Sequence, residues 1–351
     1  MYTTDPGSIT GSLSAGGFTA EQIQEILAMT TGPGDTTINT QQVTPGAGGQ
    51  VTVPAGTELV FITIPDGVDP ATVTPPAGVK VVIFQGSGGV RVVFNETPTA
   101  QQEKAGFWPV PNTSVADRVV VASAGKDNIT IADSKNTLIV GVGDGDTIVA
   151  AGGNDTIVAG TGHSTISGGT GHSIVELSGY TSDYSVVVNN GHAIVTNTTT
   201  NNTFVDISKI QYVGLDNHEA LIFAKDTTQA AVATMFQTVF GHAVDADSMT
   251  NWFAKADAGM TLVQIAEQLL KTPEYAALPV QNDETFINTL YLRTTGHYGD
   301  QPGINTWVSE LQTHSRAEVV AAFDQIAAAN LDGTMHTEQV IGSVTIVHNI
   351  V

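Results

Sequence analysis

The chain has 351 residues, with 12 Lys and Arg against 34 Asp and Glu, and a formal net charge of −22. Because phosphate binding needs Lys and Arg, this charge excludes nucleic acid as a natural partner. The chain contains no cysteine, so disulfides cannot stabilise it. No apolar run approaches the ~18 residues of a transmembrane helix, and the start MYTTDPGSITGS lacks the basic residues and apolar core of a cleavable signal peptide.

Residues 1–49 are predicted to form a polar N-terminal segment with one short helix and a linker. Thr19 can cap this helix, and Gln22 can complete a capping box. The helix is expected to end before the Thr-Gly-Pro-Gly sequence at 31–34, since glycine and proline end helices. The rest of the segment is rich in Thr, Gln and Gly and is interpreted as a linker.

Residues 50–121 are predicted to be a β-rich region. Turn residues separate apolar, β-branched runs, namely VTV, ELVFITI, VKVVIF, VRVVF and RVVVA. Runs such as VVIF are apolar at every position, so both faces of those strands are expected to be buried. Two interpretations stay open: a small β-sandwich, or a cap for the repeats that follow. A cap is expected because a stack of strands with an uncovered end exposes strand edges.

Residues 122–176 form a run of nine-residue repeats with one extra residue, assigned to Val140. Asp, Asn or Ser recurs at the sixth place, and glycine clusters at places two to four. The eighth place is apolar and is occupied by Ile129, Leu138, Ile148, Ile157, Ile166 and Val175. Such an alternation of turn and short strand is typical of a parallel β-roll or β-solenoid, which we assign to residues 122–178.

Two repeats make one coil of such a roll, so residues two repeats apart are expected to stack. Asp127 is then predicted to lie over Asp146, and Asn136 over Asp155. Carboxylates from stacked turns, together with turn carbonyls, would supply the six or more oxygens that calcium prefers. The predicted metal-site residues are Asp127, Asn136, Asp144, Asp146, Asp155, Gly125, Gly143 and Gly153. The alternative is a metal-free roll held together by stacks of Ile and Val.

The repeats resemble the repeats-in-toxin (RTX) family, whose unit is GGxGxDxUx with U a large apolar residue. The segment AAGGNDTIV matches this unit best. The resemblance implies a calcium-binding roll in a secreted bacterial protein. It also implies export by a type I system that reads an uncleaved C-terminal signal. The N-terminus alone suggests a cytoplasmic location, and the resemblance replaces that expectation with secretion. For the last two repeats, where Ser164 and Ser173 replace the aspartate, only the fold is implied.

The remaining chain changes from β to α. Residues 179–227 alternate in short strands and are predicted to cap the roll; they resemble the β-segment that often follows RTX repeats. Residues 228–330 are predicted to be an all-α domain in two copies, offset by 55 residues. The matched pairs are Met235 with Leu290, Phe236 with Tyr291, Gly241 with Gly296, Asp245 with Asp300, Met249 with Ile304 and Trp252 with Trp307. Capping boxes are predicted at Thr261 with Gln264 and at Ser315 with Glu318.

The helical region resembles the domain of unknown function 4214, which often accompanies RTX repeats, and this resemblance implies no activity. The fold class is therefore mixed: an N-terminal β region, a parallel β-roll of RTX type, a β cap and an all-α domain. The tail, residues 331–351, is assigned to the secretion signal. The β-prone segments 37–38 and 345–347 are expected to add to exposed sheet edges.

Recognised catalytic motifs are missing from the sequence. His218-Glu219 is followed by Ile222 where the second histidine of HExxH should stand, and there is no GxSxG elbow or P-loop. We therefore predict that the chain is not an enzyme but a secreted calcium-dependent structural protein. Its partner is expected to be itself, in a surface layer, filament or biofilm matrix. Two alternatives stay open: an adhesin or module that binds surface polysaccharide, and an enzyme acting on extracellular polysaccharide.

Overall fold

The computed structural model describes residues 2–4, 6–15, 20–30, 38–46, 49–66, 70–76, 78–95, 116–169, 171–189, 191–200, 203–216, 219–329, 338–341 and 344–348. These residues fall into two compact units. The first unit comprises Met1–Leu177 and Val195–Ile210, and the second comprises Ser178–Ile194 and Gln211–Val351.

The strands are short and begin close to the N-terminus. In chain order they are β1 Tyr2–Thr4, β2 Ile38–Val43, β3 Gln50–Thr52, β4 Leu59–Thr63, β5 Ala71–Thr74, β6 Val81–Gln85, β7 Val90–Phe94, β8 Arg118–Val121, β9 Asn128–Ile131, β10 Thr137–Val142, β11 Asp146–Ala150, β12 Thr156–Ala159, β13 Gly162–Gly168, β14 Ile174–Glu176, β15 Tyr184–Asn189, β16 His192–Asn197, β17 Thr203–Ser208, β18 Tyr212–Gly214, β19 Ala220–Ala224, β20 Glu338–Ile341 and β21 Val344–His348.

The α-helices occur in two groups, one near each end of the chain. They are α1 Pro6–Ala15, α2 Ala20–Thr30, α3 Thr227–Phe240, α4 Ala246–Asp257, α5 Leu262–Leu269, α6 Pro273–Ala276, α7 Asp283–Thr295, α8 Gln301–Glu310 and α9 Arg316–Ala329; a 3-10 turn spans Thr181–Asp183. The predicted order, β-rich and then helical, is confirmed. None of the helices within the described residues is both long and apolar enough to cross a membrane.

The first unit contains two sheets that the chain visits alternately. One sheet has the order β1-β2-β4-β6-β8-β10-β12-β14, and the other has the order β17-β13-β11-β9-β7-β5-β3. Apart from the antiparallel β1–β2 pair, the pairings recorded within these sheets are parallel. One strand from each sheet therefore makes one coil, and successive coils stack.

The strands of the predicted region 50–121 belong to these same sheets. β6 pairs with β8 and β7 pairs with β9, each in parallel register. The coils therefore continue without a break in topology from residues 38–94 into the nonapeptide stretch, and the small separate β-sandwich is not what forms. Residues 96–115 lie outside the described residues.

The first sheet is apolar on both faces because helices cover its outer side. Ile157 lies inside the coils and is fully buried. On the outer face, Leu59 and Val119 pack in one apolar cluster with Ile9 of α1 and Ile26 of α2. This explains the continuous apolar run of β6, in which Val81–Phe84 are all buried, and confirms the prediction that both faces are covered.

The N-terminal segment is more structured than the sequence suggests. The predicted helix is confirmed as α2. Helix α1 was not predicted, and part of the stretch interpreted as a linker forms a strand. Within that stretch, Ile38–Val43 forms β2, which pairs with β4 in parallel and with β1 in antiparallel register. Two glutamines lower the intrinsic β propensity of this segment. The strand forms nevertheless, because it pairs with a neighbouring strand on each edge.

The helical part of the second unit repeats one arrangement twice, as the offset predicts. α3, α4 and α5 correspond to α7, α8 and α9, and the residues after α3 and α7, Gly241 and Gly296, both adopt left-handed backbone with φ of 87° and 74°. Both predicted capping boxes form, at Thr261 with Gln264 and at Ser315 with Glu318. The matched side chains Met235, Leu290, Met249 and Ile304 are buried in one core.

The tail contributes strands to the second unit. β21 pairs in parallel with β19 on one edge and antiparallel with β20 on the other. Residues 338–341 and 344–348 of the predicted secretion signal therefore extend a sheet instead of standing apart from the fold.

Candidate metal centre

The sixth-place residues of the repeats are buried, with the exception of Asn136. Asp146 begins β11, and Asp127 and Asp155 directly precede β9 and β12. The exposed fractions of Asp127, Asp146 and Asp155 are only 2%, 1% and 1%. Ser164 and Ser173 are also buried. Because sixth and eighth places differ by two residues on a strand, both face the interior, and the carboxylates share that side with the Ile stack.

Asp127 and Asp146 stack on one another, as the sequence predicts. Asn128 is opposite Thr147, which places Asp127 beside Asp146, and Asp146 is opposite Ser164. The backbone N–H of Asp127 donates to Asp146 Oδ1 at 2.8 Å. The backbone N–H of Gly143 donates to Asp146 Oδ2 at 2.7 Å.

Asp127 accepts hydrogen bonds on both of its oxygens. Its Oδ1 accepts from the backbone N–H of Val90 at 2.8 Å and from Ser123 Oγ at 2.7 Å. Its Oδ2 accepts from the backbone N–H of Ser123 at 2.6 Å. The carboxylate thus joins the coil that contains β7 to the turn that precedes β9.

Asp155 has one oxygen bonded and one without a partner. Oδ1 accepts from the backbone N–H of Thr137 at 2.8 Å. Among the described residues, Oδ2 has no hydrogen-bond partner, and neither does the Oγ of Ser173. Because Thr156 is opposite Ile174, Ser173 is the register neighbour of Asp155. Two buried oxygen atoms in adjacent coils are therefore unpaired.

The predicted stacking of Asn136 on Asp155 is wrong by one residue. Leu138 is opposite Thr156, so Thr137 lies beside Asp155 and Asn136 lies beside Asn154. The interior residues Ile129 and Ile139 are ten positions apart, so the extra residue falls between them; β10 also has an irregularity between Val140 and Val142. The apolar Leu138 suggested the wrong register because it packs on the outer cluster beneath α1 and α2, whereas the buried interior residue is Ile139.

Asn136 instead takes part in a ladder of side chains along the turns. Asp117 Oδ2 accepts from the backbone N–H of Asn136 at 3.1 Å, and Asn136 Oδ1 accepts from the backbone N–H of Asn154 at 2.9 Å. Asn154 Oδ1 in turn accepts from the backbone N–H of His172 at 3.1 Å. Asp117 and Asn154 were not predicted as site residues; the spacing of Asn136 and Asn154 was the signal that could have revealed them.

Asp144, the predicted extra carboxylate, lies outside the coils. Its side chain is 71% exposed and contacts His163, whose Nδ1 is 3.0 Å from Asp144 Oδ1. The backbone N–H of His163 donates to the same oxygen at 3.0 Å, and this hydrogen bond lowers the pKa of Asp144. Asp144 therefore remains ionised and raises the negative potential next to Asp146.

The predicted glycines lie in turns that pack closely on the neighbouring coil. A Cβ on Gly125 would lie 2.5 Å from the backbone nitrogen of Gly89. Gly153 has a φ of 78°, and a Cβ there would lie 2.5 Å from the carbonyl oxygen of Lys135. Gly143 has more room, and its N–H is used by Asp146. Glycine is thus required at 125 and 153 for coil stacking.

Burial makes the interior carboxylates hard to ionise. It raises the pKa of Asp127 to about 6 and the pKa of Asp155 to about 7, and it also raises the pKa of Asp146. The hydrogen bonds described above oppose this shift, and Asp146 adds to it at Asp127 by charge repulsion. An anion without a compensating charge is unfavourable in such an interior.

A buried ion pair that the sequence analysis missed lies next to Asp155. Arg118 and Asp133 are both buried, and Arg118 Nη2 is 2.7 Å from Asp133 Oδ2. The guanidinium carbon also lies 4.4 Å from the ring centroid of Phe94. Arg118 is opposite Thr137, which is beside Asp155, so cation and anions share one interior column.

The oxygen atoms of this interior fit calcium better than a softer metal. The donors are carboxylate and hydroxyl oxygens, the ligand type that calcium prefers. A carboxylate has about four lone-pair sites, and the hydrogen bonds described above use only some of them. Oδ2 of Asp155 and Oγ of Ser173 are buried and have no hydrogen-bond partner among the described residues. Among the described residues, no three His, Cys, Asp or Glu side chains form a metal-ligand group. Calcium also accepts backbone carbonyl oxygens, so its ligands need not form such a group.

Comparisons of the chain with protein-family models, with curated proteins and with solved structures gave no match.

Proposed function

We propose that the protein is a secreted, calcium-binding structural protein of the bacterial cell surface or extracellular matrix, built on a β-roll of RTX type. The observation that supports this proposal is the burial of Asp127, Asp146 and Asp155 inside adjacent coils, where their pKa values are raised. Side chains of this kind are rarely fully buried unless they are paired. A divalent cation supplies the missing positive charge.

Two places in the coils are suited to hold calcium. One is the stacked pair Asp127 and Asp146, with carbonyls from the turns at Gly125 and Gly143. The other is Asp155, with the hydroxyl of Ser173 and carbonyls of the turn at Gly153. In this proposal the cation is structural: it neutralises the carboxylates and links neighbouring coils, and it takes no part in a reaction.

The proposal is tested by thermal unfolding with calcium and with EGTA. Binding to the folded state alone stabilises it by about 2.7 kcal/mol at a hundredfold excess over Kd. We expect Asp146→Ala to reduce the calcium-dependent gain in melting temperature. The matched control is Asp117→Asn, which changes an exposed carboxylate of the outer ladder and should leave the gain unchanged. A melting temperature that is the same in calcium and EGTA contradicts the calcium roll and leaves the metal-free roll.

Export is proposed to depend on residues 331–351, on the strength of the RTX resemblance. Simple deletion is a poor test because β20 and β21 belong to the sheet of the second unit. The sharper experiment fuses residues 331–351 to a folded cytoplasmic reporter in a cell that has a type I system. We expect the reporter in the medium, and a reporter that stays inside the cell contradicts the assignment.

A further inference from the structure

A cavity lies in the second copy of the duplicated helical region, between α8 and α9. Its volume is about 360 Å³, which is within the range of small-molecule sites. The residues that matter for its chemistry are Trp307, Glu310, His314, Glu318, Ala322 and Ile326. It therefore combines an aromatic ring, two carboxylates and an apolar wall.

The first copy shows what occupies the face of the matching tryptophan. Trp252 of α4 corresponds to Trp307, and Lys255 corresponds to Glu310. Lys255 Nζ lies 3.8 Å from the centroid of the Trp252 ring, a cation–π contact. The same ammonium group donates to Gln268 Oε1 at 3.3 Å. The first copy thus carries its own cation over the ring.

The second copy has lost both side chains of this arrangement. Glu310 replaces the lysine, and Ala322 on α9 occupies the position of Gln268 on α5, counted from the capping boxes. The groove of the first copy is lined by Lys255 and Lys271 and does not include Trp252. Trp307, in contrast, lines the cavity and is only partly buried against the core. The aromatic site is therefore kept while its internal cation is replaced by an anion.

The charges around Trp307 favour an external cation. His314 Nδ1 is 3.1 Å from a carboxylate oxygen of Glu310 and holds that side chain near the cavity. The backbone N–H of Ser315 donates to Glu318, which lowers the pKa of that carboxyl and keeps it ionised at neutral pH. Ile326 is 53% exposed and leaves an apolar surface for the body of a ligand. The chain's net charge of −22 adds a long-range attraction for cations.

We propose that the cavity between α8 and α9 binds an organic cation, an alkylammonium group with an apolar body. The ammonium group takes the position over Trp307 that Lys255 takes over Trp252, between the carboxylates of Glu310 and Glu318. The source of such a group is either a free small molecule or a lysine side chain of another protein. This site goes beyond the structural role proposed for the coils and does not depend on calcium binding there.

The test is a titration of the full chain followed by NMR of the tryptophan indole N–H groups. The probes are choline, its uncharged isostere 3,3-dimethylbutan-1-ol, and Nα-acetyl-lysine-N-methylamide. We expect both cations to shift the Trp307 signal and the uncharged isostere to bind roughly tenfold more weakly, because it lacks the cation–π and carboxylate attraction. Tighter binding of choline indicates a free small molecule, and tighter binding of the lysine derivative indicates a protein side chain.

Two double variants exchange the arrangements of the copies. Glu310→Lys with Ala322→Gln installs the internal cation in the second copy and should weaken binding at least tenfold. Lys255→Glu with Gln268→Ala should uncover Trp252 and add a second responding indole. The matched control is Glu284→Lys, the same charge change at an exposed position of α7, with binding retained. Three results would overturn the proposal. The uncharged isostere binds as tightly as choline, the folded first double variant binds as well as the wild type, or neither cation shifts an indole signal.

Discussion

At the scale of single residues, the interior carboxylates predict a dependence of stability on pH. In the unfolded chain Asp127 and Asp155 titrate near the ordinary value of about 4, whereas burial raises their pKa values to about 6 and about 7 in the fold. The folded state therefore binds protons more tightly. Its extra stability is present below about pH 4 and is lost as the pH rises to about 7.

We expect the melting temperature of the calcium-free protein to decrease as the pH is raised from about 4 to about 7. Asp155→Asn should make this decrease smaller. The amide can still accept from the N–H of Thr137, so the variant changes the charge with little loss of contact. Asp117→Asn, at an exposed carboxylate, is the control and should keep the wild-type profile. If the stability of the calcium-free protein instead rises over the same pH range, the raised pKa values of the aspartates cannot be assigned to burial.

The ion pair of Arg118 and Asp133 predicts a large effect of a single substitution. Both side chains are almost fully buried, and removing one partner leaves an uncompensated charge in the interior. We expect Arg118→Met to lower the free energy of unfolding by about 3–5 kcal/mol. Lys80→Met breaks the part-exposed pair with Glu58 and should cost at most about 1 kcal/mol. Denaturant unfolding measures both losses of unfolding free energy. Similar losses for the two variants would argue against the buried ion pair.

At the scale of elements, the register of β10 can be tested by neighbouring residues. Ile139 is fully buried inside the coils, opposite Ile157, whereas Leu138 faces the outer cluster and is only partly buried. Ile139→Ala should cost about 2–5 kcal/mol, and Ile139→Asp should prevent the coils from forming. Leu138→Asp, next to it, should be tolerated better. The opposite order of the two Asp variants in circular dichroism and unfolding would restore the register that the apolar pattern suggested.

Local patterns predicted those parts of the fold whose signal is carried by adjacent residues. The nine-residue period placed Ile148, Ile157 and Ile166 in the interior, and the two capping boxes marked the starts of α5 and α9. The period failed at Leu138, because α1 and α2 make the outer face apolar too. Once both faces are buried, alternation no longer distinguishes inside from outside.

The parts that sequence did not predict depend on contacts between distant residues. β2 contains two glutamines and forms because β1 and β4 pair with its edges. In the sequence Arg118 looks like an ordinary strand residue ahead of the repeats, and its buried partner Asp133 lies in a turn of the second repeat. The ladder through Asp117, Asn136 and Asn154 needs the corrected register before its members align. Neither the pairing of β2 nor the Arg118–Asp133 ion pair leaves a periodic signal in the chain.

At the scale of the whole molecule, proposed self-assembly needs an open sheet edge. The two β-prone segments are already paired within the chain. Residues 345–347 lie in β21, which has β19 and β20 on its two edges. Ile38 lies in β2, which has β1 and β4 on its edges, and Thr37 lies outside the described residues. Among the described strands, four end the two sheets and pair on one edge only, namely β1, β20, β15 and β3. Of these, β3 at Gln50–Thr52 pairs in parallel with β5, and its other edge can take a strand of another copy.

We therefore expect a head-to-tail contact at β3, which repeats without closing and gives a filament or lattice. Calcium should promote it by ordering the coils and by reducing repulsion between chains of net charge −22. Light scattering and negative-stain microscopy across a calcium titration measure the assembly. Thr52→Pro removes a backbone donor from β3 and should prevent assembly, whereas Thr52→Ser, the control, should assemble normally. A chain that stays monomeric at high concentration in millimolar calcium would exclude the structural role and leave ligand binding by the helical region as the function to pursue.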